Sequence, residues 1–256
     1  MVSVIIPCYN ARQYICEALA SAVAQEYVHE VILVDDCSTD DSVACVQAWF
    51  DVHAAQTADI SIRVLQNAEN SGVAVSRNRG VQEADGKYIA FLDADDRFAP
   101  GKLKKQVELL EQTGACLCNT ARVLMTPDGS LTQTIMHTPE KITLAELEKT
   151  NVINCSSVVA PREILLKYPM QHSEVHEDYL TWLQMLRAYP YAVGIDEPLL
   201  EYRLSAHGKS RNKLKSARMT YRTYRLAGYP VWKSCRMFLS YMINGNWGGS
   251  VNKMVM

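Results

Sequence analysis

Several features are missing from this chain of 256 residues. No stretch reaches the roughly 18 uninterrupted apolar residues that a membrane-spanning helix needs. The opening segment, Met1 to Pro7, has no basic n-region and runs straight into a strand-like apolar run, so a secretory signal is not expected. There is no GxGxxG, which argues against a dinucleotide-binding fold, and no GxxxxGK(S/T), which argues against a P-loop ATPase. The eight cysteines contain no CxxC spacing, and in a chain of this size they read as reduced thiols of a cytoplasmic protein. No internal repeat or low-complexity linker occurs. From Arg203 to the C-terminus there is no Asp or Glu.

That last absence uncovers a charge asymmetry. The formal net charge is −2, yet residues 203–256 carry +11 and the remainder −13. A basic tail beside an acidic body suits an anionic partner, and it also suits self-neutralisation against the body. With 48% hydrophobic and 21% charged residues, disordered and collagen-like classes are excluded.

The chain then shows short apolar runs alternating with helical periodicity. Strands are expected at 3–7, 31–34, 62–65 and 88–92. Helices are expected at 14–25, 40–53, 73–84 and 102–112, with Ser38 or Thr39 as cap of the second. This alternation predicts an α/β fold, a parallel sheet with helices on both faces. Ligands of such sheets bind at the carboxyl ends of the strands. Those ends carry Pro7-Cys8-Tyr9-Asn10, Asp35-Asp36 and Asp93-Ala94-Asp95-Asp96. Beyond Gly114 the pattern loosens into strands at 115–124, 130–136, 156–159 and 191–195 and helices at 144–149 and 177–188. Two basic, aromatic-rich helices follow from residue 213, broken at Gly228-Tyr229-Pro230.

Three clustered carboxylates at 93, 95 and 96 repel one another unless something positive sits among them. Mg²⁺ or Mn²⁺, which takes oxygen ligands and bridges phosphates, would relieve this. An acidic turn capping the next helix is the other reading. Asp36 suits either a helix cap or a ribose or base N–H, and Arg77 and Arg79 suit surface ion pairs or a nucleotide.

Taken in order, Val4-Ile5-Ile6-Pro7-Cys8-Tyr9-Asn10, Val34-Asp35-Asp36, Asn70-Ser71-Gly72 with Arg77-Asn78, Phe91-Leu92-Asp93-Ala94-Asp95-Asp96, His176-Glu177-Asp178-Tyr179 and Tyr202-Arg203 resemble the family 2 glycosyltransferases of GT-A fold. The chain is most similar to stand-alone transferases of bacterial envelope polysaccharides such as teichuronic acid, capsule and O-antigen. The resemblance implies a Rossmann-like, mostly parallel sheet in a transferase domain spanning 1–210, followed by a basic helical tail over 211–256. It also implies a metal-dependent, inverting transfer from a nucleotide sugar, with UDP as the default carrier. Pro7, Tyr9 and Asn10 would line the nucleotide pocket, Asp36 would accept from the base, and Arg77 would approach the base or phosphates. Asp93 would contact the ribose, and Asp96 would position the donor sugar. Asp95, with His207 as a further contact, would hold Mn²⁺ or Mg²⁺. Within the acidic pair Glu177-Asp178, Asp178 would be the general base. The acceptor would be a glycan or a lipid-diphosphate-linked sugar. The basic, aromatic tail would then rest on the anionic inner face of the cytoplasmic membrane. A nucleotidyltransferase is the competing enzyme, disfavoured by the absence of a Gly-rich loop after the first strand. A non-catalytic binder of the same fold would be expected to lack Asp95 or Asp178, and nothing beyond the basic tail supports nucleic-acid binding. The oligomeric state is left open.

Overall fold

The computed structural model describes residues 1–55, 57–171, 174–204 and 213–244, with the side chains of 213–215 and 244 left aside. The first half follows the expected alternation. Strands β1 (Val2–Cys8), β2 (Val28–Asp35), β3 (Ser61–Gln66) and β4 (Tyr88–Phe91) pair in parallel in the order β3-β2-β1-β4. Helices α1 (Ile15–Val23), α2 (Ser42–His53), α3 (Val73–Glu83) and α4 (Lys102–Thr113) cover both faces of the sheet.

β1 and β4 are buried along their whole length and β2 from Glu30 onward, because both faces of the sheet are covered there, whereas the edge strand β3 is half-buried. Along β1, Val2, Val4, Ile6 and Cys8 enter one core with α1 and α4, while Ile5 enters the other with α3. In β2, Val31 and Leu33 divide from Ile32 and Val34 in the same way. This period-two division between two cores is what a covered parallel sheet imposes on its strands.

The second half turns the sheet mixed. β9 (Val159–Pro161) pairs antiparallel with both β4 and β6 (Cys118–Met125), which joins the two halves. β10 (Ala192–Arg203) runs parallel to β6, and β7 (Leu131–Met136) adds to the other side of β6. Two-residue strands β5 (Arg97–Phe98) and β8 (Lys141–Ile142) pair with β10. Three expectations need correction. The last strand extends to Arg203 instead of ending at 195, crossing Pro198 through register shifts. The strand expected at 156–159 begins as a 3₁₀ turn at Cys155–Ser157. The cap position of α2 is Asp41, which makes no side-chain cap bond.

Helices α5 (Leu144–Leu147), α6 (Arg162–Lys167) and α7 (Glu177–Ala188) lead to α8 (Lys213–Leu226) and α9 (Val231–Asn244). The expected boundary at 210/211 lies outside the described residues. Past it, Tyr224, Ala227, Tyr229 and Met237 are buried in the same core as Ile5 and Trp182. The Tyr179 hydroxyl donates to Leu147 O at 2.6 Å and lies 3.2 Å from the Tyr224 hydroxyl. Lys233 pairs with Glu148 at 2.8 Å, further tying α9 down.

The close approach of α3 to the sheet depends on Gly80, where a Cβ would meet the buried Cγ2 of Ile5 below any real contact distance. Overpacking of this kind typically costs about 1–3 kcal/mol. Gly80→Ala should therefore lower the unfolding free energy by that amount, read as a lower urea midpoint at unchanged slope, and an unchanged midpoint would show that Ile5 repacks freely.

Candidate active site

At the carboxyl ends of β1 and β4 the structure opens a cleft of about 500 Å³. That size lies within the usual range for small-molecule sites. Of the expected residues, Pro7, Tyr9, Asn10, Arg77, Asp93, Asp95, Glu177 and Asp178 all line it. Tyr9 is half exposed at its rim. Asn10 adopts φ 49°, a left-handed conformation that Asn tolerates better than most residues. Its N–H donates to Ser38 Oγ at 2.9 Å and its Oδ1 accepts from Thr39 N at 2.8 Å. The loop after β1 is thereby sewn to the loop after β2.

Asp36, expected to accept from the base, holds the loop that enters α3. It is 4% exposed and does not line the cleft. Its Oδ1 accepts from Asn67 Nδ2 at 2.7 Å and Ser71 N at 2.9 Å, and its Oδ2 accepts from Gly72 N at 2.7 Å. Both oxygens thus take part in fixing the loop that enters α3. Asp96 does not stand where it was expected. It is 1% exposed, and its Oδ1 accepts from Arg203 N at 2.9 Å, so it anchors the end of β10 beneath the cleft instead of facing a sugar. Burial, then Asp93 and Asp95, push its carboxyl well above the usual range. His207 lies outside the described residues.

Arg77 organises the acidic lining. It projects from α3, is 4% exposed, and reaches Asp93 Oδ1 at 2.6 Å and Glu177 Oε1 at 3.3 Å. The helix itself is held by Asn78, whose Nδ2 donates to Met170 O at 2.7 Å while its Oδ1 accepts from Met170 N at 2.9 Å. Four carboxylates line the cleft, and Arg77 pairs with two of them. Asp95 and Asp178 have no ion-pair partner among the described residues. Burial, with Asp93 adding, pushes Asp95 up to about 6. Burial and then Glu177 raise Asp178, whose Oδ1 accepts from Tyr179 N at 2.7 Å.

Some lining residues were not foreseen. Asn154 and Tyr14 carry no local signal in the sequence; tertiary folding alone brings them to the cleft. Arg203 sits in the Tyr202-Arg203 pair, yet its role is structural. Its Nε donates to Asp95 O at 2.8 Å, Nη1 to Pro127 O at 3.0 Å and Nη2 to Glu17 Oε2 at 2.7 Å. Its guanidinium lies over the Tyr14 ring at 4.4 Å.

The donor set fits a hard divalent cation in a particular way. Among the described residues no group of three or more His, Cys, Asp or Glu side chains is arranged to hold a metal. Asp95, with Asp93 two residues away, would supply one or two oxygens. Mg²⁺ bound to substrate phosphates needs no more from the protein, because phosphate oxygens and water complete its shell.

Without a cation, Asp95 takes up its proton in the folded state well above the ordinary carboxylate range. Its stabilising contribution is full below about pH 4 and is lost as pH rises through about 6. In chelator, the melting temperature of the natural chain relative to Asp95→Asn should fall across that window. A difference independent of pH would remove Asp95 as a strained carboxylate.

Comparison with known proteins agrees with this geometry. The family model described as Glycosyl transferase family 2 matches residues 3–167. TuaG of Bacillus subtilis (strain 168), a glycosyltransferase named for teichuronic acid biosynthesis, is 38% identical over 88% of this chain and 87% of its own length. The UDP-Glc:α-D-GlcNAc-diphosphoundecaprenol β-1,3-glucosyltransferase WfgD of Escherichia coli is 30% identical over 84% of this chain and 81% of its own. In fold, the chain superposes on S. aureus TarS, solved with UDP-GlcNAc, with a TM-score of 0.74 at 20% identity, covering 97% of this chain and 74% of that one.

Proposed function

From the premise that the chain belongs to glycosyl transferase family 2, we propose that it moves a sugar from a UDP-linked donor to a hydroxyl of a lipid-diphosphate-linked glycan, with inversion, in cell-envelope polysaccharide synthesis. The observation that carries this reading is the division of the four cleft carboxylates. Arg77 holds Asp93 and Glu177, while Asp95 and Asp178 are left for chemistry. Two carboxylates in one site, set apart by their surroundings, mark separate roles.

Asp178 is the general base. Its raised proton affinity makes it a stronger acceptor for the acceptor hydroxyl's proton than an ordinary carboxylate. With Asp178 as base and no nucleophile assigned to the chain, the hydroxyl attacks the anomeric carbon directly and inverts it. Tyr9, Pro7 and Asn10 form the nucleotide side of the cleft, and Asp93, oriented by Arg77, faces the ribose. Asp95 would hold Mn²⁺ or Mg²⁺, which would supply stabilisation of the charge growing on the leaving diphosphate.

No described helix is long and apolar enough to cross a membrane. The C-terminal helices nevertheless present a face suited to a bilayer surface. Arg218, Arg222 and Arg225 recur on the exposed side of α8. On α9, Trp232, Leu239 and Ile243 are 66%, 61% and 75% exposed at helical spacing, with Arg236 beside them. Not every aromatic expected there faces outward: Tyr221 packs edge-on against Phe238 and Tyr224 is buried, while Trp247 lies outside the described residues. Basic residues near an anionic leaflet contribute about 1 kcal/mol each, and an apolar stripe inserts beside them.

Three measurements test the proposal. UDP should raise the melting temperature more than GDP, CDP, ADP or dTDP, and Asp178→Asn should keep that shift while turnover falls roughly 10²–10⁴-fold. Retained turnover would take the base role from Asp178. Vesicles containing phosphatidylglycerol should sediment the protein at low salt and fail to sediment the Arg218/Arg222/Arg225→Gln variant, whereas equal sedimentation of the two would detach the tail from the membrane.

A further inference from the structure

A second cavity of about 500 Å³ adjoins the donor cleft, and the two share Asn154, His176 and Asp178 as common wall. The carboxylate assigned as base therefore faces both spaces. The far wall is built from β6 and the C-terminal helices, and its polar lining is mostly neutral, including Asn151, Ser216 and Thr220, with the Tyr241 ring among them. Neutral hydrogen-bonding groups beside an aromatic face suit a sugar ring.

Arg122 on β6 is the exception. Its guanidinium lies over the Tyr202 ring at 5.6 Å and makes no ion pair among the described residues. Its Nε is buried with no hydrogen-bond partner. His137, the other basic group of that wall, is already engaged by Asp196 at 2.9 Å. A desolvated guanidinium with an unused N–H is costly unless a ligand satisfies it. A planar fork of this kind matches a carboxylate or phosphate. Asn154 Oδ1, on the shared wall, is likewise buried and unpartnered, and can accept from a hydroxyl.

Resting on the transferase reading above, we propose that the second cavity is the acceptor pocket and that Arg122 selects an acceptor bearing an oxyanion. That oxyanion is either the carboxylate of an acidic sugar or a phosphate of the acceptor's linkage.

The test is binding to the UDP-saturated protein by saturation-transfer NMR, using methyl β-glucuronide, glucose 1-phosphate and methyl β-glucoside. At least one anionic probe should bind about tenfold or more tighter than the glucoside, the scale of a hydrogen-bonded charge. A preference for the glucuronide identifies a sugar carboxylate, and a preference for the sugar phosphate identifies the linkage. Arg122→Gln should erase the preference while leaving glucoside and UDP binding unchanged, and Arg122→Lys should restore part of it. Equal binding of all three probes, binding of none, or a preference that survives in Arg122→Gln would overturn the assignment. UDP affinity is read in the same samples. Its absence in the natural chain would instead defeat the donor reading, so the two failures are distinguishable. Should Arg122→Gln not fold, selectivity of the natural chain and of Arg122→Lys decides.

Discussion

One buried guanidinium holds this site together. Arg77 joins α3, the end of β4 and the start of α7, three segments that lie up to 100 residues apart in the chain. Two carboxylates taken out of water in one small space would repel each other and shed their charge. Arg77 stands between Asp93 and Glu177 and pairs with both. Breaking such a buried pair from one side typically costs about 3–5 kcal/mol, because an uncompensated charge stays behind. Much of the surrounding structure serves to hold that one side chain. Asp36 fixes the loop into α3, Gly80 lets the helix lie close against Ile5, and Asn78 locks it to Met170 through two hydrogen bonds.

The same arrangement explains why site residues of one type behave differently. Asp36, Asp93, Asp95 and Asp96 all stand at strand ends, and in sequence they look alike. What separates them is the supply of N–H groups from distant segments. Ser71 and Gly72 donate to Asp36, and the backbone of Arg203 captures Asp96. A strand-end carboxylate that organises a loop cannot be told in advance from one that faces a ligand. The strand-end rule located the cleft correctly and overcounted its lining.

Fold legibility followed the same boundary between local and distant causes. The first four strands and helices could be read closely because continuous apolar runs and helical periodicity are local signals. In the second half, β5 and β8 are two residues long and exist only as partners of β10. β10 itself crosses Asp196-Glu197-Pro198, a stretch that reads as a turn, because pairing with β6 carries the strand through it with shifts of register. The charge asymmetry of the C-terminal segment was legible from composition, but its division into buried and exposed faces was not, since that depends on α8 packing against α7 and α9 against α8.

That division bears on how the proposed reaction would be arranged in space. Ser216 and Thr220 face the second cavity, whereas Arg218 and Arg222, each two residues on, are exposed. Tyr241 lines the same cavity between the exposed Leu239 and Ile243. Two residues along an α-helix turn the side chain by about 200°, so each helix has one side toward the cavity and the opposite side toward solvent. Under the proposed reading, the helices that wall the acceptor pocket are also those that meet the bilayer. An acceptor whose lipid stays in the leaflet then needs to extend its head only around or between two helices to reach Asp178. On that reading, the basic, acid-free composition of the tail and the placement of the proposed base beside it would belong to one requirement, transfer to an acceptor that remains in the membrane.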